Sequence, residues 1–113
     1  AVEYIGDGSA HWALVHVEDL ADLYVAALDA SAGSVYVGVG GVNPSTRDVA
    51  EAISSALGLT ATPVSIPLDE ARSTMGPVAD ALALDQQLTP ARAQRELAWA
   101  PAHLDPLGEL SQV

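Results

Sequence analysis

Residues 11 to 28, HWALVHVEDLADLYVAAL, change their hydrophobic period partway along. Trp12, Leu14 and His16 fall on one side of an extended chain, and Ala13, Val15 and Val17 on the other. Beyond them Leu20, Leu23, Tyr24, Ala27 and Leu28 recur at helical spacing. A strand that runs straight into an amphipathic helix is therefore predicted, with Asp19 as its N-cap and Asp22 favourable in the first turn. Such a unit buries one face of each element only against a sheet with helices packed on it.

The rest of the chain continues in that style. VEYIGDGSAH reads as a short strand and a Gly/Asp/Ser turn. Residues 35 to 40, VYVGVG, read as a buried strand bounded by glycines. A second helix is predicted over PSTRDVAEAISSALG, capped by Ser45 with Asp48 three residues on and closed by Gly58. ATPVSIP reads as a short strand, with Pro63 placing it at an edge or a strand start. LDEARSTMG reads as a third helix stopped by Gly76-Pro77, and VADALALD as helical or irregular. Thr89 is the expected cap of a last helix, with Pro90 at its first position, that stops before Pro101. The tail shows no period. The expected fold class is α/β, with few strands and three to four helices, in a single domain over residues 1–113.

Charge removes several function classes. The chain holds fifteen Asp and Glu against four Arg and no Lys, a net charge of −11. Phosphate binding needs clustered cations, so neither nucleic acid nor an anionic membrane is an expected partner. Schiff-base and lysine-assisted proton transfer have no residue to work with. The absence of Cys excludes disulfides, thiolate nucleophiles and Cys-based zinc sites. No apolar run reaches membrane-spanning length and no basic segment precedes one, so a cytoplasmic location is expected.

Three constellations imitate functional sites. Gly38, Gly40 and Gly41 follow a predicted strand and precede a helix, as a dinucleotide fingerprint does, but the third glycine is missing and no acid ends the next strand. His11 and His16 lie near Glu18 and Asp19, yet their odd spacing puts them on opposite faces of a strand and fits no zinc pattern, so no metal site is expected. Asp7, Ser9 and His11 share one loop and cannot reach triad geometry easily. The carboxylate pairs Glu18-Asp19 and Asp69-Glu70 sit at predicted helix starts, where the helix dipole accounts for them.

WALVHVEDLADLYVAAL resembles the W/R-x-x-V-H-V-x-D-L-A segment of extended short-chain dehydrogenase/reductases, the NAD-dependent epimerase/dehydratase family. SVYVGVGG and PSTRDVAEAISSALG resemble that family's late sheet strand and the helix after it. LTPARAQRELAWAP resembles its motif lS..KAr.eLGW.P: Thr89 stands at the capping position, Arg92 at the usual Lys, and Leu97, Trp99 and Pro101 match, with Ala98 in place of the usual Gly. The three motifs occur in family order over nearly the whole chain.

The resemblance implies the C-terminal portion of a Rossmann-type NAD(P)-binding fold. The family's glycine fingerprint and Tyr-x-x-x-Lys pair belong to the N-terminal dinucleotide-binding half, which is absent here: Tyr4, Tyr24 and Tyr36 are not followed by Lys. The expectation is a substrate-binding fragment, inactive alone, of an NAD(P)-dependent epimerase, dehydratase or reductase acting on a sugar-like or small carbonyl or alcohol substrate. NAD or NADP would serve the parent and not bind this chain, and the partner would be the missing half or another copy. Trp12 stands where sugar-nucleotide relatives carry a diphosphate-binding Arg, and an indole cannot neutralise a diphosphate. By position, His11, Trp12, Asn43, Arg72 and Met75 are the substrate-binding candidates, whereas His16 and Asp19 are expected to be structural. The alternative is a stand-alone, non-catalytic module that binds a small ligand or a protein partner.

Overall fold

A computed structural model describes residues 1–112. The described elements run β1 (Glu3–Ile5), α1 (Val17–Ala27), α2 (Thr46–Ala56), β2 (Val64–Ile66), α3 (Leu68–Met75), α4 (Val78–Ala83), α5 (Ala91–Leu97) and α6 (Pro106–Leu110). They fall into two units, one made of residues 1–12, 44–87 and the chain from Leu107 onward, the other of residues 13–43 and 88–106. Among the described residues no helix is long and apolar enough to cross a membrane.

The first unit is built on a parallel pair. β1 and β2 align Glu3 with Val64, Tyr4 with Ser65 and Ile5 with Ile66. The ladder extends at both ends, where Val64 N–H donates to the Val2 carbonyl (2.9 Å) and Gly6 N–H to that of Ile66 (2.9 Å). Ile66, Ala71 and Ala79 form the buried centre, with Ile5 and Leu68 against them. Alanines at both helical positions let α3 and α4 approach the strands closely. Gly76, at φ +67°, ends α3 in a conformation that side chains avoid, and its N–H still reaches the Arg72 carbonyl (2.9 Å). α2 begins as its sequence predicts: Ser45 Oγ accepts from the Asp48 N–H (3.1 Å).

In the second unit α1 packs beside α5, and Leu23, Ala93 and Trp99 form its core with Val15, Leu20, Tyr36 and Leu97 around them. Two predicted strands meet here without becoming a ladder. Gly40 N–H donates to the Leu14 carbonyl (2.8 Å), but neither 12–17 nor 35–40 is a strand. Residues 34–38 keep the period: Ser34, Tyr36 and Gly38 are half-buried, whereas Val35 and Val37 are exposed. Side-chain alternation is a local property, whereas a ladder needs neighbours on the strand's edges. Gly38 is required by packing, because a Cβ there would lie 2.9 Å from Leu20 Cδ1 and 3.2 Å from Leu23 Cδ2.

Three expectations are corrected. The N-cap of α1 is His16, whose Nδ1 accepts from the Glu18 N–H (3.1 Å), so Asp19 lies inside the first turn with other partners. The N-cap of α5 is Pro90, and Thr89 makes no cap. Among the described residues six helices form instead of three or four. α3 and α4 are separate because Gly76-Pro77 interrupts them, and Pro106 starts a further short helix in the tail, where a proline's missing N–H costs nothing.

The C-cap of α5 is Ala98 at φ +53°, the one non-glycine residue with positive φ among those described. An alanine pays a steric penalty in this region that glycine does not. Ala98→Gly should stabilise the chain by about 0.5–1 kcal/mol in urea denaturation, with an unchanged m-value. A loss of stability would show that the Ala98 methyl contributes packing that outweighs its strain.

Candidate ligand-binding site

The first unit holds a partly open cavity of about 210 Å³. Thr46, Val49, Ala50 and Ile53 of α2 line it at the spacing of one helix face, opposite Tyr4 and Ile5 of β1. Ile66, Trp12 and Leu82 complete its walls, and the exposed Glu3 and Met75 (40 % exposed) also line it.

The loop after β1 is locked onto the start of α2. Thr46 N–H donates to the Ala10 carbonyl (2.8 Å), Arg47 N–H to Gly8 (3.2 Å) and Trp12 N–H to Pro44 (3.0 Å). Gly8 is needed for this approach, since a Cβ there would lie 2.6 Å from Arg47 Cβ, and its φ is +76°. Trp12 Nε1–H donates to the Leu82 carbonyl (2.9 Å), which fixes the indole as a wall with its polar atom spent. Thr46 is 5 % exposed, and its hydroxyl oxygen is buried with no protein partner. A buried hydroxyl without a partner costs about 1–3 kcal/mol, so it marks a place where stability is given up.

Of the five residues expected to bind substrate, Trp12 and Met75 line this cavity. His11 is adjacent but does not. Its backbone N–H and Nδ1 both bond Asp85 Oδ1 (2.9 and 2.8 Å), and its carbonyl accepts from Gln86 (2.8 Å). The His11 ring and then its N–H hold the Asp85 carboxyl below the usual carboxylate range. Arg72 is exposed and bridges Asp69 (2.9 Å) and Asp80 (2.6 Å), tying α3 to α4. Asn43 belongs to the second unit, where Nδ2 donates to the Leu88 carbonyl (3.1 Å) and Oδ1 is buried without a partner. Thr46 and Tyr4 were not anticipated. The stripe 46/49/50/53 is visible in the sequence as a buried face, but nothing local says that this face lines a cavity.

His16 and Asp19 lie together in the second unit. The Asp19 carboxylate, 3 % exposed, accepts from the N–H groups of Ala102 (3.0 Å) and His103 (2.9 Å), and its Oδ1 lies 3.1 Å from His103 Nδ1. The Asp19 carbonyl accepts from Trp99 Nε1–H (2.9 Å). Burial pushes the Asp19 carboxyl up, but the Ala102 and His103 hydrogen bonds together outweigh it and hold it below the usual range. His16 stacks on His103 with ring centroids 3.7 Å apart and planes 10° from parallel. His16, Glu18 and His103 offer ligand atoms within 4.8 Å of one another, a metal-like grouping. The geometry suits coordination poorly. His16 Nδ1 already accepts the Glu18 N–H, which leaves Nε2 protonated in the neutral ring, and two near-parallel rings cannot aim in-plane lone pairs at one ion.

No family model matches the sequence. It is similar to an uncharacterized protein of Schizosaccharomyces pombe, 32% identical over 101 residues that cover 88% of this chain and 34% of that protein. It is also similar to an uncharacterized protein of Saccharomyces cerevisiae, 31% identical over 108 residues that cover 95% and 36%. The chain therefore spans about a third of the length of the curated relatives it matches. Among solved structures, human epimerase family protein SDR39U1 (isoform 2), crystallised with NADPH, superposes with a TM-score of 0.78 at 23% identity, over 98% of this chain and 37% of that one. A conserved protein of unknown function from Silicibacter pomeroyi gives 0.76 at 20%, over 98% and 40%. The chain has the α/β fold of part of an epimerase-family protein, as its three motifs imply.

The Asp19 bonds make stability sensitive to acid. Its folded pKa is lowered, so its contribution is complete above the ordinary carboxylate value and disappears as pH falls through the lower folded value. Asp19→Asn should cost about 2–3 kcal/mol at pH 7. The gap to wild type should shrink below roughly pH 4. A gap that stays constant down to pH 2, in urea melts at each pH, would show that charge is not what holds Ala102 and His103.

Proposed function

We propose that this chain is the substrate-side portion of an NAD(P)-dependent epimerase, dehydratase or reductase, and that the cavity of its first unit receives the substrate. The observation that carries the reading is that cavity: largely apolar walls and a tryptophan fixed in place, on the fold of part of an epimerase-family protein.

Hydride chemistry has to come from other residues. No Lys is present to pair with a tyrosine. The glycines that imitate a dinucleotide turn do not fit a pyrophosphate. The Cβ space of Gly38 is filled by Leu20 and Leu23, and the start of α2 is capped by Ser45 and carries the acid Asp48. What the chain's own residues do is enclose and orient. Trp12, Tyr4 and the α2 stripe supply the cavity's apolar walls, and the exposed Glu3 in the lining disfavours anions.

The second unit supports a partner polypeptide. Val35 (75 % exposed) and Val37 alternate out of a segment without a ladder, and α1 exposes Val17, Tyr24, Val25 and Leu28 (83 % exposed). Extended backbone and apolar helix surface of this kind are completed by further strand and helix. That partner would carry the cofactor-binding turn and the Tyr-x-x-x-Lys pair.

The test compares two proteins, the 113-residue chain and the product of the reading frame extended upstream. With NADH or NADPH and a panel of small alcohols and carbonyls, only the longer product should bind cofactor and turn over. Turnover by the short chain, or a longer product that binds no dinucleotide, would refute the assignment.

A further inference from the structure

We propose that Asp7–Gly8 is a site of spontaneous covalent modification, isomerisation of Asp7 to isoaspartate, and that the Ser9 side chain restrains it in the folded chain. The inference does not rest on the functional reading above, because it concerns the chemistry of the loop after β1 and not the reaction of a parent protein.

The reaction is intramolecular. The Gly8 backbone nitrogen attacks Asp7 Cγ, and the amide proton and the carboxyl hydroxyl leave together as water. Water then reopens the five-membered imide at either carbonyl. Opening at the main-chain carbonyl leaves the chain running through Cγ, with the same mass and one more backbone atom. The residue after the aspartate governs ring closure, because its side chain crowds the attacking nitrogen. Asp7 is the one aspartate in the chain followed by glycine. The others precede Leu, Ala, Val, Glu or Gln, or, at Asp105, a proline whose nitrogen carries no proton. Asn43, which has a similar side chain, also precedes a proline.

The fold sets this reactive pair in a restraining geometry. Asp7 and Ser9 are exposed and Gly8 between them is buried, at φ +76°. Gly6 N–H donates to the Ile66 carbonyl (2.9 Å), and the Gly8 carbonyl accepts from Arg47 N–H (3.2 Å). Asp7 Oδ1 accepts from both the Ser9 N–H (2.9 Å) and the Ser9 Oγ–H (2.6 Å). The Ser9 hydroxyl, and after it the Ser9 N–H, hold the Asp7 carboxyl below the usual carboxylate range. Ring closure needs the neutral carboxyl, since a carboxylate would have to expel oxide. Each bond to Ser9 therefore thins the reactive population. The product would also disturb its surroundings. A Cβ on Gly8 would already lie 2.6 Å from Arg47 Cβ and 2.9 Å from Tyr4 Cε2. A lengthened link at residue 7 therefore displaces the loop from α2 and from the Tyr4 ring, one wall of the cavity.

The test incubates the 113-residue chain near neutral pH, with and without urea, and maps its peptides over time. An isoaspartyl peptide keeps its mass, elutes separately and resists endoproteinase Asp-N. Folded wild type should gather isoaspartate at residue 7 before any other aspartate. Ser9→Ala should gather it about three- to tenfold faster. Ser9→Thr, which keeps the hydroxyl, should match wild type. Ser9→Cys, a weaker donor of nearly the same shape, should fall between them and gives the same reading should the alanine variant fold poorly. Asp7→Glu should abolish the signal at residue 7, because its longer side chain would have to close a six-membered ring. In urea the rates of wild type and Ser9→Ala should converge, which ties the difference to the folded hydrogen bonds. Equal folded rates for wild type, Ser9→Ala and Ser9→Cys would overturn the proposal. So would isoaspartate gathering equally at another aspartate, or none at residue 7 in the folded proteins by the time the urea-unfolded chain has converted.

Discussion

The buried carboxylate of Asp19 holds the second unit together from the inside. It sits in the first turn of α1 and accepts two backbone N–H groups from residues more than eighty positions away. Its own carbonyl accepts the indole N–H of Trp99, the largest side chain of that unit's core. One residue thus ties a helix start, a distant extended segment and a core aromatic. A carboxylate suits this task because it only accepts, and two amides aimed at one group require an acceptor with two oxygens. Around it, His16 caps the helix by bonding Glu18 and stacks on His103, so the four residues act as one polar joint inside an otherwise alanine- and leucine-rich packing.

Local features of the fold are legible in the sequence, and long-range ones are not. Ser45, Gly58 and Gly76 mark helix ends because capping and positive φ depend on neighbours a few residues apart. The strand VSI is found where β-branched residues follow a proline. The segments 12–17 and 35–40 show the limit. Their alternation is real in the burial of 34–38, but a ladder is decided by what lies alongside, and a single bond from Gly40 to Leu14 does not make one. Asp19 is misread for the same reason. From its neighbours it is a plausible cap, and only the fold brings Ala102 and His103 to it.

The candidate site divides in the same way. Trp12 could be named because its motif fixes register against a family pattern, whereas Met75 rests on its place on a helix alone. Thr46 could not, since a threonine at the first position of a helix is unremarkable until its hydroxyl is found enclosed and unpaired. The four arginines contribute no binding site of their own. Arg47 pairs with Glu51, Arg72 with Asp69 and Asp80, and Arg92 with Glu96, with Arg95 near that same carboxylate. With the cations held near the helices that carry them, the net charge of −11 is left to the rest of the surface.

The two tryptophans have a practical consequence, because the chain has two in all and each unit owns one. Trp12 stands in the cavity wall with its N–H on Leu82; Trp99 lies 5 % exposed in the other core with its N–H on Asp19. Each indole is an optical reporter of its own surroundings. Emission from Trp12 responds to what fills the cavity, and emission from Trp99 responds to the polar joint at Asp19. Single-tryptophan versions of the chain therefore separate ligand occupancy from melting of the other unit, two events that one unresolved fluorescence signal would merge.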